Sequence, residues 1–254
     1  MDRSFLSSRK AVWNCTFHFK MVKLKPLINV IRAGRINYQQ GLQLQKFLTT
    51  NQPNEPFTEF QNYLIFQEFE PVYTIGIRTK GYTQEDEDRL RKLGAEFHKT
   101  NRGGLITFHG PGQLVAYPLL HLKQFKPSMR WYVATLEQMV IETCRQMGIM
   151  NATTTKDTGI WVDDRKICAI GVHGSRYVTT HGIGFNCCTD LSWFDHIIPC
   201  GIEGKGVTSL SEELKRNVSI DECAEKLTET FAKVFQCDVE NNNSKELLER
   251  ALKS

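Results

Sequence analysis

The chain has no apolar run near the roughly 20 residues that a membrane-crossing helix needs, so no span is read in it. It lacks the hydrophobic stretch that opens a secretory signal, and none of its eight cysteines forms a Cys-x-x-Cys pair. These absences argue against secretion, a zinc ribbon and a thioredoxin-like motif. They read the cysteines as reduced thiols of an intracellular protein, most of them small core residues. The phosphate-binding pattern G-x-x-x-x-G-K-[ST] is missing, as are G-x-G-x-x-G, H-E-x-x-H and G-x-S-x-G, so the chain carries no positive sign of nucleotide binding. Lys and Arg total 32 against 28 Asp and Glu, a net +4 that is too mild to point to nucleic acid.

Acidic residues are scarce in one place. Residues 1–35 carry Arg3, Arg9, Lys10, Lys20, Lys23, Lys25, Arg32 and Arg35 against Asp2 alone, with Ser4, Ser7 and Ser8 among them. A basic, serine-containing, acid-poor start is the composition of a mitochondrial targeting segment, and residues 1–25 are read as one. The rest shows no repeat, low-complexity tract or break in composition. With 254 residues and 41 % hydrophobic content, it is read as one domain over 26–238, followed by a loose polar tail over 239–254.

Patterning predicts the elements. PLINVIRAG (26–34), NYLIFQEF (62–69) and VYTIG (72–76) read as strands, and residues 37–50 as a helix with Tyr38, Leu42, Leu44, Phe47 and Leu48 on its apolar face. Thr83 caps a short charged helix that Gly94 ends. ITFH and QLVAYPLL read as strands joined by a His-Gly-Pro-Gly turn. Ser128 caps a helix running to Met147, whose apolar face includes Cys144. GIWV and KICAIGV form a hairpin around Asp163-Asp164-Arg165, and RYVTTHGIGFNCC is a further strand, with Cys187 and Cys188 as core or strand residues. Ser219 and Glu222 have capping-box spacing before a helix to Phe235. Strands outnumber helices and run in hairpins, which predicts α+β: a mixed or antiparallel sheet with helices packed on one face.

Glycine and single polar residues concentrate in three segments, 102–113, 166–184 and 199–209. Glycines let a backbone approach a ligand, so the three clusters point to a site lined by main chain. Cys200, between Pro199 and Gly201, is the best nucleophile candidate, because neither neighbour suits a central strand and the glycine leaves room around Sγ. Only a thiolate attacks, so Cys200 needs a base. His109, His173, His181 and His196 are available, and so is Lys166, where partial desolvation at the head of KICAIGV is expected to favour the neutral, proton-accepting amine. Spacing alone leaves lysine and histidine both open.

RGGLITFHGPGQLVAYPL, TGIWVDDRKICAIGV, THGIGFN and IIPCGIEGKGVTSL stand in this order, and together they resemble the lipoyl(octanoyl) transferases, in particular the eukaryotic mitochondrial form. The match runs from about Leu27 to about Phe235. The resemblance implies a biotin/lipoate protein ligase-like fold and transfer of an octanoyl group from acyl carrier protein to a lysine of a lipoyl-accepting domain. Cys200 matches the acyl-thioester nucleophile and Lys166 the lysine that serves it. Arg102, Gly103, Gly104, Leu105, Ile106, Thr107, Phe108 and His109 match the first substrate-binding segment; Ala169, Ile170 and Gly171 match the second; Gly182, Ile183 and Gly184 match the third. Phe108 stands where tyrosine is common, and Gly184 where alanine is common, the latter a change expected to widen the acyl pocket. No cofactor or metal is implied, since the acyl group arrives on the phosphopantetheine of acyl carrier protein. The implied acceptors are lipoyl-accepting domains of 2-oxoacid dehydrogenase complexes and the glycine cleavage H protein. A monomer in the mitochondrial matrix is expected. Arg32, Arg35, Lys123, Lys126 and Arg130 are candidate docking charges for acidic partners. The competing reading is an ATP-dependent lipoate or biotin ligase on the same fold, which needs no nucleophilic cysteine.

Overall fold

Leu27–Ile36 (β1), Tyr38–Thr50 (α1) and Asn62–Phe69 (β2) open the fold as two parallel strands joined through a helix. Asn37 starts that helix: its side chain accepts from the Gln40 N–H at 2.8 Å, while the Gln40 side chain accepts from the Asn37 N–H at 3.0 Å. The computed structural model describes residues 25–53, 55–79, 81–198, 205–242 and 244–253. The targeting segment lies almost wholly outside them, and so does Cys200. The remaining elements, in chain order, are β3 (Val72–Ile75), α2 (Gln84–Lys92), β4 (Glu96–Lys99), β5 (Thr107–His109), β6 (Gln113–Leu119), α3 (Met129–Gln146), β7 (Ala152–Thr154), β8 (Ile160–Val162), β9 (Arg165–Ser175), β10 (Val178–Asn186), β11 (Gly206–Val207), α4 (Leu210–Leu214), α5 (Ile220–Phe235), β12 (Asp238–Asn241) and α6 (Ser244–Leu252).

The main sheet runs β12-β1-β2-β6-β10-β9-β8-β7, with β11 beside β9, and a separate sheet has the order β4-β3-β5. Parallel pairs (β12·β1, β1·β2, β11·β9) and antiparallel pairs (β2·β6, β6·β10, β10·β9, β9·β8) share the main sheet, so it is mixed as expected. The His-Gly-Pro-Gly turn does not close a hairpin. It hands the chain from β5 in the small sheet to β6 in the large one.

Alternation along the strands feeds two cores. Leu64, Phe66, Leu114, Ala116 and Ile183 pack under α3 and α5 with Leu136, Met139, Val140, Cys144, Leu227 and Phe231. Tyr63, Ile65, Val115 and Tyr117 face the other way, onto α1 and α6 through Tyr38, Leu44, Leu48 and Ala251. The expected one-sided helical layer is thus α3 and α5, and α1 with α6 adds a partial second layer. The reading of 239–254 as a loose tail is corrected: β12 pairs with β1, and α6 buries Ala251 in the second core. Its sequence is too polar to show a strand, because β12 is an edge with three of its four residues exposed. Ser219 caps α5 by accepting from the Glu222 N–H at 3.1 Å, but the Glu222 carboxylate turns to Arg216 instead of completing the box.

Candidate functional site

Arg102 organises the first glycine segment. It is 6 % exposed. Its guanidinium donates to the Thr74 carbonyl (2.6 Å) and hydroxyl (2.8 Å) on β3 and to the carbonyls of Gly103 and Leu105 (both 3.0 Å) in its own loop. The loop is also tied to β9 through Gly103 N–H to Val172 O at 3.0 Å. Arg102 is therefore a brace between the two sheets. The brace requires Gly171, where a Cβ would lie 3.0 Å from Arg102 Cδ and 3.1 Å from the Gly103 carbonyl oxygen.

Behind this loop is a cavity of about 30 Å³ lined by Arg102, Gly104, Leu105, Thr107, His109, Tyr117, Ala169, Ile170, Gly171, His181, Gly182, Ile183 and Gly184. The three segments that the resemblance matches to substrate binding, 102–109, 169–171 and 182–184, converge on it, whereas no described residue of the glycine cluster 199–209 lines it. Gly103 instead lines an adjoining cavity of about 300 Å³ with Arg78, Val133, Lys156 and Val172, and the two cavities share Gly104, Leu105, Ile170 and Gly171 as their common wall. Ile106 and Phe108 do not line the inner cavity. They alternate with Thr107 and His109 and point into the aromatic cluster of the small sheet, where Phe108 stacks on Trp193 with ring centres 5.0 Å apart.

Two histidines close the inner cavity. His109 Nδ1 is 2.6 Å from Gln113 Oε1, and burial, with the Arg102 charge second, pushes its pKa down to about 4. His181 Nε2 is 2.8 Å from Asn101 Oδ1, and the same two causes in the same order push it down to about 3. Both rings are neutral at physiological pH. His181 has φ +57°, a left-handed conformation unusual inside a strand, and its N–H donates to the Gln45 side chain at 2.6 Å. The next residue is held tightly too: a Cβ at Gly182 would sit 2.0 Å from the Ala116 carbonyl oxygen. Gly184 does not widen the pocket, because the space a Cβ would take is occupied by Gln113 Oε1 at 2.8 Å. His173 is half-buried and His196 exposed, and neither lines the cavity.

Lys166 lies on β9 outside the cavity lining, three positions before Ala169. It is 4 % exposed, and its Nζ has no hydrogen-bond partner among the described residues. Ile160, Val162, Ile167 and Cys168 of the same hairpin belong to the α3/α5 core, and a register shift between Ile160 and Trp161 sets Lys166 across from Trp161. The Lys166 Nζ sits 4.7 Å from the centre of that indole ring. Lys205 Nζ lies 4.9 Å from the same ring and pairs with Asp164 at 3.2 Å. Pro199, Cys200 and residues 201–204 lie outside the described residues; the chain is described to Ile198 and again from Lys205. On its return it pairs with Lys166 itself: Val207 is in register with Lys166, and the Thr208 N–H donates to the Lys166 carbonyl at 3.0 Å.

Cys144, Cys168 and Cys223 are buried, and burial raises their thiol pKa values, Cys144 to about 12 and the other two well above the ordinary value. Cys187 is buried as expected, but Cys188 is exposed. Arg32, Arg35 and Lys123 pair within the chain with Asp221, Glu68 and Glu55, while Lys126 and Arg130 are exposed. Trp161, Tyr117, Gln113 and Asn186 were not singled out in the sequence. Gln113 had a readable signal, as the lone amide opening the apolar strand QLVAYPL, and Asn186 a weaker one, as the polar end of the apolar run GIGF. Among the described residues no cluster of metal-ligating side chains is found.

Residues 37–232 match the family model described as the lipoyl protein ligase A/B catalytic domain. A Danio rerio protein named octanoyl-[acyl-carrier-protein]:protein N-octanoyltransferase LIPT2, mitochondrial, is 53 % identical over 220 residues, covering 87 % of this chain and 97 % of its own length. The Homo sapiens protein of the same name is 42 % identical over 228 residues, covering 87 % and 98 %. In fold, a solved lipoate-protein ligase A bound with ATP superimposes with a TM-score of 0.68 at 16 % identity, over 91 % of this chain and 95 % of that one.

Proposed function

The chain belongs to the lipoyl protein ligase A/B catalytic-domain family, and from that premise we infer that it is an octanoyltransferase that carries an octanoyl group from acyl carrier protein to a lysine of a lipoyl-accepting protein. Close similarity to the two octanoyltransferases supports the activity. The likeness to an ATP-bound ligase is one of fold alone. The mitochondrial names of these relatives and the basic, acid-poor opening segment support a mitochondrial location, in the matrix.

The mechanism we propose is a two-step transfer through Cys200. Lys166 Nζ takes the proton of the Cys200 thiol, and Sγ attacks the carbonyl carbon of the octanoyl thioester. The tetrahedral intermediate collapses by breaking the bond to the carrier sulfur, which leaves with the proton from Lys166. Octanoyl is now a thioester of Cys200. In the second step the acceptor lysine, its ammonium proton lost to solvent, attacks the same carbonyl as a free amine, and the attacking nitrogen gives its next proton to Lys166. The amide forms, the bond to Sγ breaks, and Lys166 returns the proton to Cys200. One thioester replaces another in the first step and an amide replaces a thioester in the second, so the sequence runs downhill without nucleotide. The glycine-rich inner cavity and its larger neighbour are the proposed acyl site, with Leu105 and Ile170 as the wall between them. The inner cavity alone holds about the volume of one liquid water. An eight-carbon chain therefore needs the adjoining cavity of about 300 Å³ as well.

The observation that carries the Cys200 and Lys166 assignment is the Lys166 amine, buried without a hydrogen-bond partner among the described residues, on the strand where the chain returns from Cys200. Intact-mass spectrometry after mixing with octanoyl carrier, without ATP, tests it. The wild type gains one octanoyl group and Cys200→Ser gains none as a thioester. An adduct unchanged in Cys200→Ser, or one that needs ATP, overturns the mechanism.

A further inference from the structure

We propose that Asn186 is a positioning residue for acyl transfer, holding the strand pairing at Lys166 and the root of the Cys200 segment through a buried chain of amides. The inference rests on the two-step reading above and deepens it. Asn186 is the last residue of β10 and is 4 % exposed. Its Nδ2 donates to the Thr208 carbonyl at 2.9 Å, and its Oδ1 accepts from Gln113 Nε2 at 2.9 Å. Gln113, 1 % exposed, also donates from Nε2 to the Phe108 carbonyl at 3.2 Å, and its Oε1 lies 2.6 Å from His109 Nδ1.

The direction of every bond in this chain follows from its end. A main-chain carbonyl only accepts, so the Asn186 atom facing Thr208 is the nitrogen. Its oxygen then accepts from Gln113, whose nitrogen is fixed again by the Phe108 carbonyl. The Gln113 oxygen accepts from His109, so the proton of that neutral imidazole is on Nδ1 and the lone pair on Nε2. The cavity-lining ring thus has one tautomer, set jointly by the Phe108 carbonyl and, through Asn186, the Thr208 carbonyl.

Thr208 is gripped from both sides. Its N–H holds the Lys166 carbonyl, and its carbonyl is held by Asn186. Here β10 separates from β9, since the last β10 residue in register is Phe185, opposite Cys168. β11 takes its place opposite Arg165 and Lys166. Asn186 stitches the end of β10 to the residue that directly follows β11. Without it, the Lys166 main chain and the returning segment lose their shared anchor, and displacements near 1 Å at reacting groups cost up to about a hundredfold in rate.

The test is single-turnover acylation of Asn186→Asp and Asn186→Ser as a function of octanoyl-carrier concentration and pH, beside wild type. An aspartate has no proton for the Thr208 carbonyl, whereas the protonated acid has one. At mildly alkaline pH the Asn186→Asp rate at saturation falls about ten- to a hundredfold with the half-saturating concentration unchanged. The ratio of this variant to wild type then climbs as the pH is lowered. Asn186→Ser, too short to span the gap, shows the fall without acid recovery. A saturating rate like wild type in either folded variant, a fall that acts only on half-saturation, or parallel pH profiles for the two variants overturns the proposal. If Asn186→Asp does not fold, the saturating rate of Asn186→Ser decides. Cys200→Ser, run alongside, separates the two readings: a thioester adduct persisting there overturns the nucleophile, whereas fast Asn186 variants with an inert Cys200→Ser overturn only this inference.

Discussion

Lys166 lies with its Nζ 4.7 Å from the centre of the Trp161 ring, and no described residue offers that nitrogen a hydrogen bond. The indole is the contact that orients the amine, and it is shared with Lys205 on the far side of the Cys200 segment. Trp161→Phe keeps an aromatic face of weaker quadrupole and loses the indole N–H bond to the Asp157 carbonyl. Single-turnover acylation is expected to slow about three- to tenfold, with the urea midpoint only slightly lowered. An unchanged rate removes Trp161 from the orientation of Lys166.

The two cavity histidines make stability depend on pH in a defined direction. Their folded values, about 4 for His109 and about 3 for His181, lie below the ordinary 6.5. Above 6.5 neither the native nor the unfolded chain holds the extra protons. As the pH falls through 6.5, the unfolded chain takes up protons that the native rings refuse. Stability therefore declines with falling pH until the native rings themselves titrate. Urea unfolding across this range checks it, and His109→Gln flattens the slope.

Gly182→Ala is expected to destabilise the protein by about 1–3 kcal/mol or more, because the added methyl meets main chain and not a movable side chain. The Ala116 carbonyl oxygen is 2.0 Å from the required Cβ position. Gly184→Ala, which meets the tip of Gln113, is expected to cost less. Equal urea midpoints for the two variants contradict this ordering.

Arg102→Met removes five hydrogen bonds to Thr74, Gly103 and Leu105 and leaves buried carbonyls unpaired. A loss of about 2–4 kcal/mol in unfolding free energy is expected from hydrogen bonds to a charged group and the acceptors stranded by their loss. Hydrogen exchange is expected to quicken in residues 102–105. A protein of native stability with slow exchange there contradicts the bracing role.

Thiol reactivity separates Cys200 from its buried counterparts. Burial holds Cys144 near 12 and raises Cys168 and Cys223 well above the ordinary thiol value, which disfavours their thiolates. Brief alkylation of the native protein is expected to abolish transfer by modifying Cys200 while sparing these three, and prior octanoylation protects. Peptide mapping that finds Cys168 modified with loss of activity points to a different nucleophile.

Much of this was legible in the sequence because the strands that build the cavity are apolar and bounded by glycine. The hairpin at Asp163 and the helix capped by Ser128 followed from local pattern, whereas the segments 102–109, 169–171 and 182–184 followed from the resemblance to the transferase family. The exceptions have physical reasons. Ile106 and Phe108 sit in a binding segment, but strand alternation sends them into a different core. The strand Asp238–Asn241 is an exposed edge and carries no apolar signature. The order of β5 and β6 in two sheets is a matter of long-range pairing that no short window holds. Lys166 stood out only by its place before an apolar run; that its amine is enclosed depends on Trp161 arriving from the neighbouring strand.

One row of the main sheet is written in two instalments. β10 pairs with β9 down to Cys168, and β11 continues beside Arg165 and Lys166. The chain leaves this row after Phe185 and is back in it at Gly206, so what lies between is an excursion with two fixed ends. An insertion or deletion inside such an excursion shifts no register on either side of it. The chain carrying the proposed nucleophile can thereby change in length while the proposed base keeps its place on the strand.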